Sequence, residues 1–318
     1  MCGRGPVGAR HDVNVSAPGG SVDCPTMQTG VVFPQTEIGS GAAAIRAYAQ
    51  GAEELGFTHL LALDHVVGAD PEVHVPWTGW YDIDDTFHEP FVLFGYLAAI
   101  TKLELVTSII ILPQRQTALV AKQAAEIDLL TEGRFRLGVA VGWNEVEYEA
   151  LGQEFRKRGK RLDEQVPLLR RLWTERSVTF EGDFDRITGA GIAPMPIQRP
   201  IPVWFGGYSP PAYRRMGRLA DGWFPSSVKP GPALVTALEI IARSAEEAGR
   251  DPATIQMEGR IDWTPALSRD ELQHMAGEWR EAGASHVSVD TMGQGLTTVD
   301  DHLDALAQIA DAYELRPS

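Results

Sequence analysis

Cysteine is nearly absent. The chain of 318 residues has two, Cys2 and Cys24, and neither belongs to a CxxC pair. That excludes a disulfide framework and a thiolate zinc site, and it fits a reducing cytoplasm. No apolar run is long enough to span a bilayer. No HxH or HExxH motif occurs, so no metal ligand set is expected. Basic charge is also scarce, with 28 Lys and Arg against 43 Asp and Glu, a net charge of −15. An acidic surface repels polyanions, which argues against nucleic acid or an anionic membrane as the partner.

What is present is a rhythm. Residues 1–26 are rich in Gly, Pro and polar residues and lack an apolar signal core, so they read as a flexible leader, with Met27 as an alternative start. From 27 to 318 short apolar runs alternate with amphipathic stretches. Strands are predicted at 29–34, 59–64, 104–111, 135–141, 202–207, 222–225, 255–261 and 286–290. Helices are predicted at 41–56, 89–100, 116–131, 158–174, 210–220, 232–248, from a capping box at Ser268 and Glu271, and at 298–314. In the helix at 116–131 the pattern places Leu119, Val120, Ala124, Ile127 and Leu130 inward.

Strict alternation of strand and helix implies a parallel α/β sheet with right-handed crossovers. Eight units in this length point to a closed (β/α)8 barrel of the TIM type. A doubly wound open sheet is the competitor, but no GxGxxG turn follows the first strand, which ends Phe33-Pro34-Gln35. Residues about 175–200 break the rhythm with a hairpin near Gly182-Asp183 and a Pro/Gly-rich loop. They read as an insertion between strands four and five.

In such a barrel the chemistry gathers at the C-terminal ends of the strands. Asp64-His65 ends the second strand, and histidine can exchange a proton near neutral pH. Gly206-Gly207-Tyr208-Ser209-Pro210 reads as an anion seat, in which glycines allow close backbone approach and Ser209 and Pro210 open a helix. Trp77, Trp80 and Trp143 lie in loops where they could line a flat ligand, whereas Trp204 and Trp223 fall inside strands and read as core. His59 begins its strand and so belongs to the opposite end of the barrel.

The runs GVVFPQTEIG (30–39), LLALDHV (60–66), LVTSIIILPQR (105–115), GRFRLGVAVGWNEVEYEALG (133–152), PVWFGG (202–207) and LADGWFP (219–225) together resemble the luciferase-like monooxygenase superfamily. Within it they resemble the branch that depends on the deazaflavin F420. The resemblance implies a TIM-like barrel, often a homodimer, that binds F420, or alternatively FMN, at the C-terminal mouth. It implies a hydride-transferring oxidoreductase acting on a small organic molecule. An FMN-dependent monooxygenase on the same fold would need a separate reductase, and a non-catalytic flavin-binding barrel is a third reading. Carried residue by residue, the active-site histidine falls on His65. A non-proline cis peptide that backs the ring falls on Ser108-Ile109, and the phosphate seat on Gly206, Gly207, Tyr208 and Ser209. Asp64, Gly142, Trp143 and Asn144 are the remaining cofactor-contacting candidates. Some members carry a glutamate directly after the fourth-strand glycine. Here that place holds Trp143, and Glu145 comes two residues later.

Overall fold

The computed structural model describes residues 27–317, so the expectations for the leader at 1–26 lie outside the described residues. Eleven strands are formed: β1 (Gln28–Val32), β2 (His59–Ala62), β3 (Glu104–Thr107), β4 (Ile110–Ile111), β5 (Phe135–Ala140), β6 (Val178–Glu181), β7 (Arg186–Ala190), β8 (Val203–Gly206), β9 (Gly222–Phe224), β10 (Gln256–Asp262) and β11 (His286–Asp290). The main sheet runs β3-β2-β1-β11-β10-β9-β8-β5-β4, and the additional β3–β5 pairing closes it. All of its pairings are parallel. The third predicted strand is split into β3 and β4 by a cis peptide at Ser108-Ile109, so the barrel has eight staves. Between staves four and five, β6 and β7 form a separate antiparallel hairpin.

The helices are α1 (Ala42–Glu54), α2 (Pro90–Leu97), α3 (Thr117–Leu130), α4 (Glu145–Ala150), α5 (Arg158–Thr174), α6 (Pro210–Leu219), α7 (Pro232–Glu247), α8 (Arg269–Glu281) and α9 (Val299–Tyr313). Local chemistry starts several of them. Ser268 and Glu271 form the expected capping box of α8, and Thr298 with Asp301 does the same for α9. In α5, Leu162, Val166, Leu169, Leu172 and Trp173 are buried at helical spacing. The stripe predicted for α3 needs correction. Val120, Ala124 and Ile127 are buried, but Leu119 and Leu130 are half exposed. The buried face instead includes Ala121, Ala125 and Asp128. Asp128 is held there because its carboxylate accepts from Ile197 N, Gln198 N and Gln198 Nε2.

The barrel interior is layered. At the N-terminal end, Glu258 accepts from His59 Nε2 at 3.1 Å and from Arg136 Nη1 at 2.8 Å. Arg136 also pairs with Glu104 at 2.9 Å and lies 4.5 Å over the Trp204 ring. The His286 ring packs edge-on against His59 and Trp204. Burial raises the Glu258 carboxyl, but the charges of His59 and Arg136 outweigh it and hold the group well below the usual carboxylate range. Burial, then the neighbouring Arg136 and His59 charges, push His286 down to about 3. Above this ionic floor sits an apolar layer of Leu61, Val106 and Phe224. His59 therefore belongs to the floor, as its position at the start of a strand implied.

Candidate functional site

The C-terminal mouth holds a cavity of about 510 Å³. One wall comes from β3–β4 and β5: Ser108, Ile109, Ile111, Ala140 and Gly142. The lining continues into the adjoining turn Gly206-Gly207-Tyr208-Ser209 and Ala212, and Gly206 abuts Ile109 and Ala140. His65, Trp143 and Asp64 also line the cavity. Thus ten of the eleven residues selected from sequence meet around one space.

Each part has a local cause. The Asp64 carboxylate is buried, accepts from Arg115 Nη2 at 2.8 Å and from Ile111 N at 3.2 Å. It therefore ties the end of β2 to the backbone just beyond the cis peptide. Burial raises its carboxyl, and Arg115 and the Ile111 N–H only partly offset this. Arg115 in turn reaches Glu89, the N-cap of α2, at 2.9 Å.

At the fourth stave Gly142 has φ +66°, and a Cβ there would meet Ile111 Cγ2 at 2.8 Å. Gly142→Ala should cost about 1–2 kcal/mol from the left-handed backbone alone, read as a lowered denaturation midpoint with the slope unchanged. An unchanged midpoint would show that the turn tolerates a side chain.

Asn144 departs from the expectation. It is buried, and its Oδ1 accepts from Val146 N to cap α4. It lines a side cavity of about 210 Å³ with Val66 and Asp82, not the central one. An asparagine at an N-cap needs its carbonyl for the helix.

Sequence reading missed Glu147. Its side chain is 1% exposed, and His65 Nδ1 lies 3.4 Å from its Oε2. It also accepts from Val66 N and from Gln114 Nε2 at 3.3 Å. Burial raises the Glu147 carboxyl, but hydrogen bonding and charge from His65, with the Val66 N–H and Gln114, lower it overall. The His65 ring is further held by Phe87, Tyr81 and Trp143, with centroids 4.7, 5.3 and 5.6 Å away. The only local signal was the spacing Asn144-x-x-Glu147, which looks like a cap.

The turn after β8 opens α6 with Pro210 in the first turn and Ser209 as the N-cap residue. The Ser209 side chain makes no capping hydrogen bond, and Gly207 has φ +133°. Free N–H groups at such a terminus favour an anion. Arg158 and Arg215 also line the cavity. Arg215 is paired with Asp163 at 2.8 Å, while Arg158 stacks on Phe155 and donates to its carbonyl. Among the described residues no helix is long and apolar enough to cross a membrane. No group of three or more His, Cys, Asp and Glu among them is placed to hold a metal.

The family model described as luciferase-like monooxygenase matches residues 27–260. The chain belongs to the luciferase-like monooxygenase family. An F420-dependent glucose-6-phosphate dehydrogenase of Amycolatopsis mediterranei is 28% identical over 290 residues, 82% of each chain. An FMNH2-dependent dimethylsulfone monooxygenase of Pseudomonas putida is 33% identical over 182 residues, 56% of this chain and 47% of that one. The chain spans about half the length of the curated relatives it matches at 33–40% identity. Among solved structures, an F420-dependent secondary alcohol dehydrogenase superposes with a TM-score of 0.73 at 18% identity, covering 90% of this chain and 98% of that one. That likeness speaks for the shared barrel.

Proposed function

We propose that this luciferase-like protein is an oxidoreductase that binds F420 at the mouth of its barrel and catalyses hydride transfer to or from a small organic substrate. The observation that carries the reading is one cavity in which His65, braced by Glu147, faces an apolar wall and an anion seat. The residues fit such a cofactor. Ile109, Ala140 and Gly142 form a low wall against which a tricyclic ring can lie. Gly206, Gly207, Tyr208 and Ser209, with the start of α6 and the Arg158 side chain, would hold the phosphate. When bound, the cofactor supplies the hydride chemistry, and the protein supplies position and proton handling.

The chain's own groups then have defined tasks. Glu147, ionised at neutral pH, accepts the Nδ1 proton of His65 and fixes the tautomer. His65 Nε2, the other ring nitrogen, is thereby an acceptor that can take or return a proton at the substrate oxygen. Asp64 holds the β3–β4 wall in place through Ile111 N and Arg115. Trp143, which packs against His65 and lies 5.8 Å from the tilted Trp77 ring, would cover that side of the site.

FMN in a two-component monooxygenase, served by a separate reductase, is the second reading. It is favoured by the Pseudomonas putida relative. Fluorescence titration of the purified chain with F420 and FMN separates the two. The expected result is tighter binding of F420. Micromolar FMN affinity with no F420 binding would reverse the order, and binding of neither would favour a non-catalytic barrel.

A further inference from the structure

The turn after β8 is short of the donors that a helix start normally offers. A helix N-terminus presents the N–H groups of its first residues. In α6 the first two are Pro210 and Pro211, which have no N–H. The Ser209 side chain makes no capping bond either. An anion at this turn must therefore be held mainly by the amides of Gly207, Tyr208 and Ser209. Among the described residues none of these three N–H groups forms a hydrogen bond. The cavity they border also contains Arg158, whose Nε is buried and without a partner. The strength of the seat then depends on how a few peptide groups are turned.

Trp223 turns one of them. It is the middle residue of β9 and is 1% exposed. Successive side chains of a strand face opposite ways. Phe224 belongs to the apolar layer inside the barrel, so Trp223 faces the outer shell. There it packs against Tyr213 of α6, with ring centroids 5.4 Å apart. It also borders a small cavity of about 150 Å³ with Leu238 and Ile241 of α7. Its indole Nε1 donates to the Gly207 carbonyl at 3.1 Å. Gly207 lines the central cavity and Trp223 does not, so this carbonyl is drawn away from the cavity. The Gly207-Tyr208 peptide is trans. In a planar trans peptide the C=O and N–H point in opposite directions, which turns the Tyr208 N–H back toward the cavity. Gly207 has φ +133°, a conformation open to glycine and to few other residues. Glycine makes this arrangement possible, and the indole selects it.

We propose that Trp223 is a positioning residue of the anion seat: its indole N–H holds the Gly207-Tyr208 peptide so that the Tyr208 N–H donates to the phosphate of a bound cofactor. A tryptophan whose place in a strand reads as core thereby acts on a ligand that it does not touch. Without the indole the peptide is free to rotate about a glycine, and the Gly207 carbonyl oxygen can swing toward the anion and repel it. The loss falls on ligands that carry a phosphate and spares the same ring system without one. This inference deepens the function proposed above and rests on it for the identity of the seat.

The test uses the full chain and two ligands, FMN and riboflavin, which differ only by the phosphate. Trp223→Phe keeps an aromatic ring in place and removes the N–H. Fluorescence titration should show FMN binding weakened about tenfold, the size of one lost hydrogen bond to a charged group, with riboflavin binding unchanged. Equal loss for both ligands would mark general damage to packing and overturn the proposal, as would unchanged FMN binding. Inorganic phosphate gives a reading independent of any flavin. In the nitrogen-labelled, unaltered chain, phosphate should shift the Tyr208 amide and the Trp223 indole N–H signals together, because both groups bond through one peptide. In Trp223→Phe the Tyr208 shift should need roughly tenfold more phosphate. A Tyr208 amide that moves while the indole stays still overturns the proposal, and so does silence of both, even where the variant does not fold. If neither FMN nor F420 binds but phosphate moves both signals, the role of Trp223 stands and the cofactor reading alone falls.

Discussion

Replacing Glu258 by glutamine is expected to lower the unfolding free energy by about 3–5 kcal/mol, the usual cost of removing one partner from a buried charge pair. The midpoint of thermal unfolding should fall by roughly 10 °C for a domain of this size. The glutamate accepts from His59 and Arg136 inside the barrel floor, so the amide would leave their protons in a dry, less compensated site. The effect has a defined pH dependence. The Glu258 carboxyl lies below its ordinary 4.5 in the folded chain. Its contribution is therefore complete above about pH 4.5 and fades as the pH falls further. His286 acts over a higher window. Its pKa is moved from 6.5 to about 3, so between those values the unfolded chain binds the extra proton and the folded state loses ground on acidification. Thermal denaturation of the two proteins at pH 7 and at pH 4 checks this. The gap should be large at pH 7 and smaller at pH 4. Equal midpoints at pH 7 would show that the floor cluster adds nothing.

The barrel was legible because each layer leaves a periodic trace. Nearly continuous apolar runs such as Leu105 to Leu112 mark staves covered on both faces, and Ser268 with Glu271 marks a helix start by local chemistry alone. The α3 stripe failed where tertiary contacts overrode the pattern. Asp128 is buried because Ile197, Gln198 and the Gln198 amide come to it from nearly 70 residues away, and Leu119 and Leu130 are left outside. The mouth followed the same division. Gly206, Gly207 and His65 could be placed because the ends of strands are fixed by topology. Glu147 could not, since its partners His65 and Val66 lie about 80 residues earlier and nothing near it hints at them. Asn144 was misplaced for the converse reason: its work is local, at the N-cap, while its neighbour Trp143 faces the cavity. Arg260 and Asp290 lie thirty residues apart in the chain, and only the structure shows that they meet.

Within the proposed chemistry, His65→Ala should lower the turnover number by about two to four orders of magnitude, the range that one positioned acid–base group contributes. Cofactor affinity should change little, because in the proposed arrangement phosphate and ring would be held by other staves. Glu147→Gln should act through His65. An amide can still meet the ring at Nδ1 but cannot select the protonated nitrogen as a carboxylate does. The Glu147 carboxyl is lowered overall despite its burial, so it is ionised through neutral pH, and its hold on His65 is lost only as the pH falls below the usual carboxylate range. The variant should therefore lose about tenfold in turnover at pH 7, with its acid limb displaced from that of the unaltered enzyme, and Glu147→Asp should restore part of it. Nitrogen NMR of labelled histidine gives a reading independent of turnover. In the unaltered chain His65 should carry its proton on Nδ1, and in Glu147→Gln the two tautomers should mix. If His65→Ala leaves both turnover and cofactor affinity intact, the proton role assigned to the ring is wrong. If Glu147→Gln lowers turnover without moving either the pH limb or the tautomer, the carboxylate merely supports the loop at Val66, and another group must orient His65.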